Sequence, residues 1–428
     1  MNMNELAIFG GSKIREKPFP HYPIITDAEK NNVLDVLNSQ NLSAFAASAG
    51  ENFLGGKKIR EFEKKFAEYL DTKFAIAFNS ATSALHAANV AVGVRPGEEV
   101  IVPPYTFTST ATSVLMNNGI PVFSDIDSVI YCLDPKKLEE HITEKTRAII
   151  PVHLFGQPCD ILSIIEIAKK YDIKVIEDCA QSPGAQINGV KTGTFGDCGI
   201  FSFQESKNMM TGEGGMLVTN NEDIAKIAQM VRNHGEVILE HEKNRKYRAE
   251  ILGWGYRMTE LEAAIGITQL EKLDKMNDVR IELSESLIKN LTKIEGIKHN
   301  FIENTKNVYY VTAFSYDEEK IGITRNEFCE ALDAEGIPFR AGYLNLLYFN
   351  PLYQKRMAHA FDIYDGNVSY EKGICPTAEN IQEKQLIMTL VCRPPATKSD
   401  MDDIINAFHK IINNKYEFEK GIRGVYEI

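Results

Sequence analysis

The sequence predicts an α/β protein: a large unit built on a mainly parallel sheet covered by helices, followed by a smaller C-terminal α+β unit. Three observations carry this. From Lys73 to about residue 220, short apolar runs alternate with helical patterns, the signature of βαβ units. After Thr259 that rhythm gives way to one long helical stretch, ELEAAIGITQLEKLDKMNDVRIELSESLIKNL. Beyond it come new strand and helix patterns with their own caps, enough for a second core.

The elements follow in order. Residues 1–19 read as an arm and KPFPHYP as an irregular segment; an amphipathic helix runs from about Thr26 to Leu37. Gly55 and Gly56 close a loop before the helical IREFEKKFAEYL. KFAIAF is a strand, and SATSALHAANVAVG a helix with Ser80 as N-cap. EEVIVPP, IPVFSDI, RAIIPVHLF, IKVIEDC, CGIFSF and GMLVTN are further strands, with helices at TSTATSVLMNNG and Leu162–Tyr171. Past the long helix, VYYVTAFSY and IPFRAGY are strands, and Thr324 with Glu327 forms a capping box for a helix to Ala334. Residues 344–395 read mostly as aromatic-rich loop, and SDMDDIINAFHKII closes the chain as a helix. The large unit is placed at 20–275 and the small one at 276–428.

With 428 residues, 44% hydrophobic and 25% charged, the chain can bury a sizeable core. A formal net charge of −12 argues against non-specific nucleic-acid binding. No apolar run is long enough to span a bilayer, and MNMNELAIFGG lacks the basic start of a secretory signal. The seven cysteines are scattered without a Cys-x-x-Cys pair, which offers no metal framework and fits reduced thiols in the cytoplasm.

In sheets of this kind ligands gather beyond the carboxyl ends of the strands, so the post-strand loops are the places to search. FSFQESKNMMTGEGG holds Lys207 between two apolar runs, beside Gly212, Gly214 and Gly215. A lysine there can form a Schiff base with a carbonyl, although most lysines simply lie on solvated faces. Asn79-Ser80-Ala81-Thr82 opens a helix, either as an ordinary cap or as a phosphate site using backbone amides and the Thr82 hydroxyl. Asp178 ends the strand KVIED, where it can cap a helix or pair with a protonated pyridine nitrogen. Phe107, after EVIVPP, is core or a platform for a flat heterocycle. His86, His153 and His234 are read as satisfied polar residues without a catalytic role.

The segments NSATSALHAA, PPYTFTSTA, PVHLFGQPCD, IEDCAQSPGA, FSFQESKNMMTGEGG and GYRMTELEAAIGITQL stand in an order that resembles the DegT/DnrJ/EryC1/StrS aminotransferases. These are fold-type-I enzymes dependent on pyridoxal 5'-phosphate (PLP), and the resemblance covers roughly residues 20–275. It implies that Lys207 carries the cofactor as a Schiff base and that Asp178 pairs with the pyridinium nitrogen. It further implies that Gln181 lies near the ring hydroxyl, that Phe107 stacks on the ring, and that Ala81, Thr82 and Ser202 hold the phosphate. One position departs from the family pattern: Gly255 stands where the family places an asparagine that reaches the partner subunit's cofactor phosphate. Asn233 and Arg257 are the candidates to replace it.

The reaction the resemblance implies is transfer of an amino group from glutamate or glutamine to a nucleotide-linked keto sugar or a keto cyclitol, in a homodimer. FGGSKIREKPFPHYP and FSFQ resemble most the cyclitol aminotransferase and aminohydroxybenzoate synthase subgroup. Specificity is expected from Phe339–Tyr353 and Glu51–Lys58. Relatives with histidine in place of the lysine are dehydratases, so Lys207 favours transamination over a PLP-dependent dehydratase or lyase. A non-catalytic, regulatory protein of the same fold would have lost the lysine or its partners.

Overall fold

A computed structural model describes residues 5–45, 52–236 and 248–418. The large sheet is built from β1 (Phe74–Phe78), β2 (Glu99–Val102), β3 (Ile120–Phe123), β4 (Thr146–Ile149) and β5 (Lys174–Asp178), then, beyond a hairpin, β8 (Cys198–Ser202) and β9 (Gly215–Thr219). The hairpin strands β6 (Gln186–Ile187) and β7 (Val190–Lys191) turn at Asn188 and Gly189, both with positive φ, as a tight hairpin turn requires. Spatial order in the large sheet is β1-β9-β8-β5-β4-β2-β3. The neighbours from β8 to β3 pair in parallel, whereas β9 runs antiparallel to both β8 and β1. A parallel return needs a crossover, and the link from β8 to β9 contains no helix, so it makes an antiparallel turn instead.

This topology sends the carboxyl ends of β1, β2, β5 and β8 to one edge of the sheet. Strands β2, β8 and β9 are buried at every residue, because helices cover both faces. These include α1 (Asp27–Ser39), α2 (Lys57–Leu70), α3 (Ala81–Ala91), α4 (Ser109–Met116), α5 (Ile161–Lys170), α6 (Glu222–Arg232) and α7 (Glu260–Leu291). Helix α7 crosses position 275 unbroken and extends for about 48 Å. Its later part, with Leu283, Leu287 and Leu291, forms one core with Phe314, Phe328 and Phe408. That core lies against a second, antiparallel sheet of β10 (Ile297–Lys298), β12 (Thr312–Tyr316), β14 (Leu386–Thr389) and β13 (Arg340–Ala341). Strand β11 (Thr305–Lys306) instead pairs with β6.

The stretch 344–395 is more ordered than its pattern predicts. It contains short helices at Pro351–Gln354, Ala360–Ile363 and Pro376–Asn380, and then β14. Its aromatics Tyr348, Tyr353 and Tyr370 pack on Phe123 at the far strand of the large sheet. They are packing residues from distant sequence, so they carry no local periodicity.

Helix α1 is tied to α7 by a buried carboxylate. Burial raises the Glu29 acid, but the Lys272 ammonium and the hydroxyl and amide of Thr26 outweigh it and hold its pKa at about 2. Because this pKa is depressed, its stabilisation is complete above the ordinary carboxyl value and lost as pH falls toward about 2. Glu29→Gln is therefore expected to destabilise the protein at pH 7 by at most about 3 kcal/mol. Urea denaturation at several pH values checks this: the wild-type advantage should shrink steadily in acid.

Candidate active site

Ala81, Thr82, Phe107, Asp178, Gln181, Ser202 and Lys207, the residues singled out in the sequence, all line one cavity of about 410 Å³. It opens at the carboxyl edge of the large sheet, within the usual size of a small-molecule site. They come from four separate stretches of chain, which meet there because β1, β2, β5 and β8 end on the same side.

Lys207 lies in the turn between β8 and β9. Its backbone amide donates to the Gln204 carbonyl at 2.9 Å, and its carbonyl accepts from the Tyr22 hydroxyl. The next residue, Asn208, is fully buried and donates to Asn277 Oδ1 on α7 and to the Val308 carbonyl. The lysine backbone is thus anchored on three sides while its Nζ lies 4.4 Å from the centre of the Tyr310 ring. Among the described residues no carboxylate comes within ion-pair distance of that nitrogen. The ammonium faces the cavity with only an aromatic ring as partner.

Asp178 ends β5 and is buried. Its Oδ2 accepts from Thr110 Oγ1 at 2.9 Å and its Oδ1 from the Ala180 amide at 3.1 Å. An ionised carboxylate has about four acceptor positions, so two remain. Burial raises its pKa above the ordinary value, opposed by those two donors and by the more distant charge of Lys207. Beneath it, the neighbouring Glu177 accepts from the amides of Gly193, Phe195 and Gly196 and bonds His153 at 3.0 Å. His153 Nδ1 in turn accepts from the Cys159 amide. This brace explains the histidine without a catalytic role and keeps the end of β5 rigid.

At the other end of the cavity, Ser80 Oγ accepts from the Ser83 amide at 3.2 Å. The cap occupies the third amide of α3 and leaves those of Ala81 and Thr82 without an intrahelical acceptor. Gly215 lets β9 start directly against this helix: a Cβ there would come within 2.5 Å of the Ala81 nitrogen. Ser202 is buried, its Oγ 3.4 Å from the Gln204 amide. Gln181 accepts from the Phe155 amide at 2.8 Å and donates to the Tyr343 hydroxyl at 3.0 Å. Phe107 lines the cavity with 53% of its surface exposed, so it is a wall rather than core.

Sequence reasoning missed Thr110 and Tyr310, and covered Tyr343 only within the stretch Phe339–Tyr353 expected to set specificity. Thr110 lies three residues beyond Phe107 and had a detectable signal as a hydroxyl on the helix after a strand end. Tyr310 comes from a pattern read only as a strand of the small unit. Of the two stretches expected to set specificity, Phe339–Tyr353 supplies Tyr343 to the cavity, while none of residues 52–58 lines it; Glu51 lies outside the described residues. At Gly255 an added Cβ would meet only ordinary van der Waals contacts, the nearest being His234 Cε1 at 3.5 Å. The two candidate replacements contact each other: Arg257 Nη1 donates to Asn233 Oδ1 at 2.9 Å.

A helix-covered sheet of this strand order, with a lysine and a buried aspartate lining one cavity at its carboxyl edge, has the architecture of the PLP fold-type-I aminotransferases. More narrowly, the chain belongs to the DegT/DnrJ/EryC1/StrS aminotransferase family, whose profile matches residues 35–409. It is 38% identical to GDP-perosamine synthase of Caulobacter vibrioides over 74% of this chain and 82% of that protein. It is 31% identical to L-glutamine:2-deoxy-scyllo-inosose aminotransferase of Streptomyces kanamyceticus, over 97% and 98% of the two chains. The fold superposes on the aminotransferase from Psychrobacter cryohalolentis with a TM-score of 0.84 at 28% identity, covering 93% and 99% of the chains.

Proposed function

We propose that this chain binds PLP in the cavity and moves an amino group from glutamine or glutamate to a nucleotide-linked keto sugar or keto cyclitol. The observation that carries the reading is Asp178: a buried carboxylate with two free acceptor positions and no ion-pair partner within 4.0 Å among the described residues. Such a group is costly unless a cation joins it, and a protonated pyridine ring fits. Lys207 would hold the cofactor covalently through Nζ; Ala81, Thr82 and Ser202 would take its phosphate, Gln181 its ring hydroxyl and Phe107 its face.

Bound PLP supplies an electron sink for the charge left when the donor loses its Cα proton. Lys207 Nζ carries that proton, and its anchored backbone keeps the nitrogen over the cavity. Asp178 keeps the ring nitrogen protonated, and the Thr110 hydroxyl and Ala180 amide orient the carboxylate. The exchange is balanced by its two substrates: the donor ends as a keto acid and the acceptor's carbonyl becomes an amine.

The named relatives support both acceptor classes, one a GDP-linked sugar synthase and the other a glutamine:inosose aminotransferase. A homodimer is part of this reading, with Asn233 and Arg257 as the pair facing the partner's cofactor phosphate. So is a cytoplasmic setting, in which the seven buried, unpaired cysteines stay reduced. No helix among the described residues is long and apolar enough to cross a membrane.

The test is an absorbance spectrum of the purified protein with PLP, before and after adding glutamine or glutamate. A visible band that one donor bleaches is expected and identifies that donor. Restoring the band with keto sugars and with keto cyclitols then separates the acceptor classes. A protein that shows no visible band with excess PLP would sink the proposal.

A further inference from the structure

We propose that the cleft between the second half of α7 and residues 299–309 binds a nucleoside diphosphate, at a site separate from the cavity that holds Lys207. None of the residues lining this cleft lines that cavity, so the site stands or falls apart from the transaminase reading.

The cleft encloses about 400 Å³, enough for a ligand of that size. Two polar groups lining it are left unsatisfied by the protein. Tyr309 is only 7% exposed, and its hydroxyl makes no hydrogen bond among the described residues. His299 Nδ1 lies 2.8 Å from the Ala313 carbonyl oxygen, so that nitrogen carries the ring proton. Burial lowers the pKa of the imidazole and keeps it neutral. Its Nε2 is therefore a buried acceptor without a donor, and such groups are rare in folded proteins. The backbone at Tyr309 has a φ of 44°, in the left-handed region that a bulky residue avoids. Asn307 Oδ1 holds this conformation by accepting the Tyr309 amide at 2.8 Å. The result is that consecutive tyrosines serve two cavities, Tyr309 the cleft and Tyr310 the one with Lys207.

The groups around these two select the ligand. Ile281 and Ile288 of α7 give apolar walls, and Phe301 stands at the cleft with 65% of its surface exposed. A bare aromatic face beside a buried acceptor suits a flat ring with an N–H on its edge, which is what a nucleobase offers. Glu285 and Lys289 line the same cleft four residues apart on α7, in the order that ordinarily pairs. Neither is in an ion pair among the described residues, and Lys306, across the cleft, holds Asp278 only at 3.6 Å. A carboxylate takes ribose hydroxyls, and two ammonium groups take phosphates. A neutral sugar would leave the lysines unused, and a simple phosphate would leave the aromatic face and the histidine unused.

The test titrates the full chain with the diphosphates of guanosine, adenosine, uridine and cytidine in a calorimeter, with and without excess PLP. At least one should bind, equally well in both conditions. F301A should weaken that binding by about 10- to 100-fold, the loss of one stacked base. K289M should weaken the diphosphate by about 10-fold and leave the matching free nucleoside unchanged, because it removes only a phosphate contact. Both substitutions change exposed side chains, so both variants should melt as wild type does. No binding by any of the four would overturn the proposal. So would equal binding by wild type and F301A, or binding that PLP abolishes, since either would place the nucleotide in the Lys207 cavity. Pyrophosphate binding as tightly as the diphosphate would show a mere anion site and would overturn it too. A missing visible band with PLP would sink only the transaminase reading.

Discussion

Lys207→Ala is expected to leave the fold intact and to reduce transamination by at least about four orders of magnitude. Proton transfer by a positioned group contributes about 10²–10⁴-fold, and the covalent link to the cofactor is lost as well. The fold should survive because the lysine side chain forms no ion pair among the described residues. Its anchors are backbone groups and the neighbouring Asn208. Circular dichroism should match wild type, and the PLP mixture should show no lysine-bound band. Normal turnover by this variant would remove Lys207 from its assigned role.

Asp178→Asn should separate stability from function. Burial raises the folded-state pKa of Asp178. Between the ordinary carboxyl value and the raised one, the folded protein binds the extra proton. Stability therefore falls as pH rises through that window. An amide carries no such penalty, although one of the two donors from Thr110 and Ala180 loses its acceptor, at about 1 kcal/mol. The cofactor-free variant is expected to melt at least as high as wild type at pH 7, with the difference shrinking in acid. Loaded with PLP it should lose about 3 kcal/mol of pairing with the ring nitrogen, or about two orders of magnitude in turnover. Melting curves across pH and single-turnover rates test the two halves. Near-normal turnover would remove Asp178 from the ring nitrogen.

The two polar groups at the centre of the site were legible for the same reason. Asp178 ends one apolar strand and Lys207 lies in the turn between two others, places where a charge needs an explanation. Ala81 and Thr82 were legible as a helix start after a strand, because free amides at that point follow from helix geometry alone. The antiparallel insertion of β9 was not read, since an apolar run does not disclose its direction; only the absence of a helix between Ser202 and Gly215 hinted at it. The strand β14 was hidden inside a stretch whose aromatics pack on the large sheet, without local periodicity.

What the sequence determined by itself was the alternation of strand and helix, the edge at which a ligand would collect, and the residue types waiting there. Those are consequences of hydrophobic period, capping and the chemistry of single side chains, all of which act over a few residues. Only the tertiary structure decided which distant groups complete the cavity. Tyr310 lies under Lys207 from 103 positions along the chain, Tyr343 reaches Gln181 from 162 positions away, and Tyr22 reaches Lys207 from 185. It also brought His299 and Tyr309 to one cleft against α7. A contact across such separations depends on how whole elements pack, and no spacing within a single segment records it.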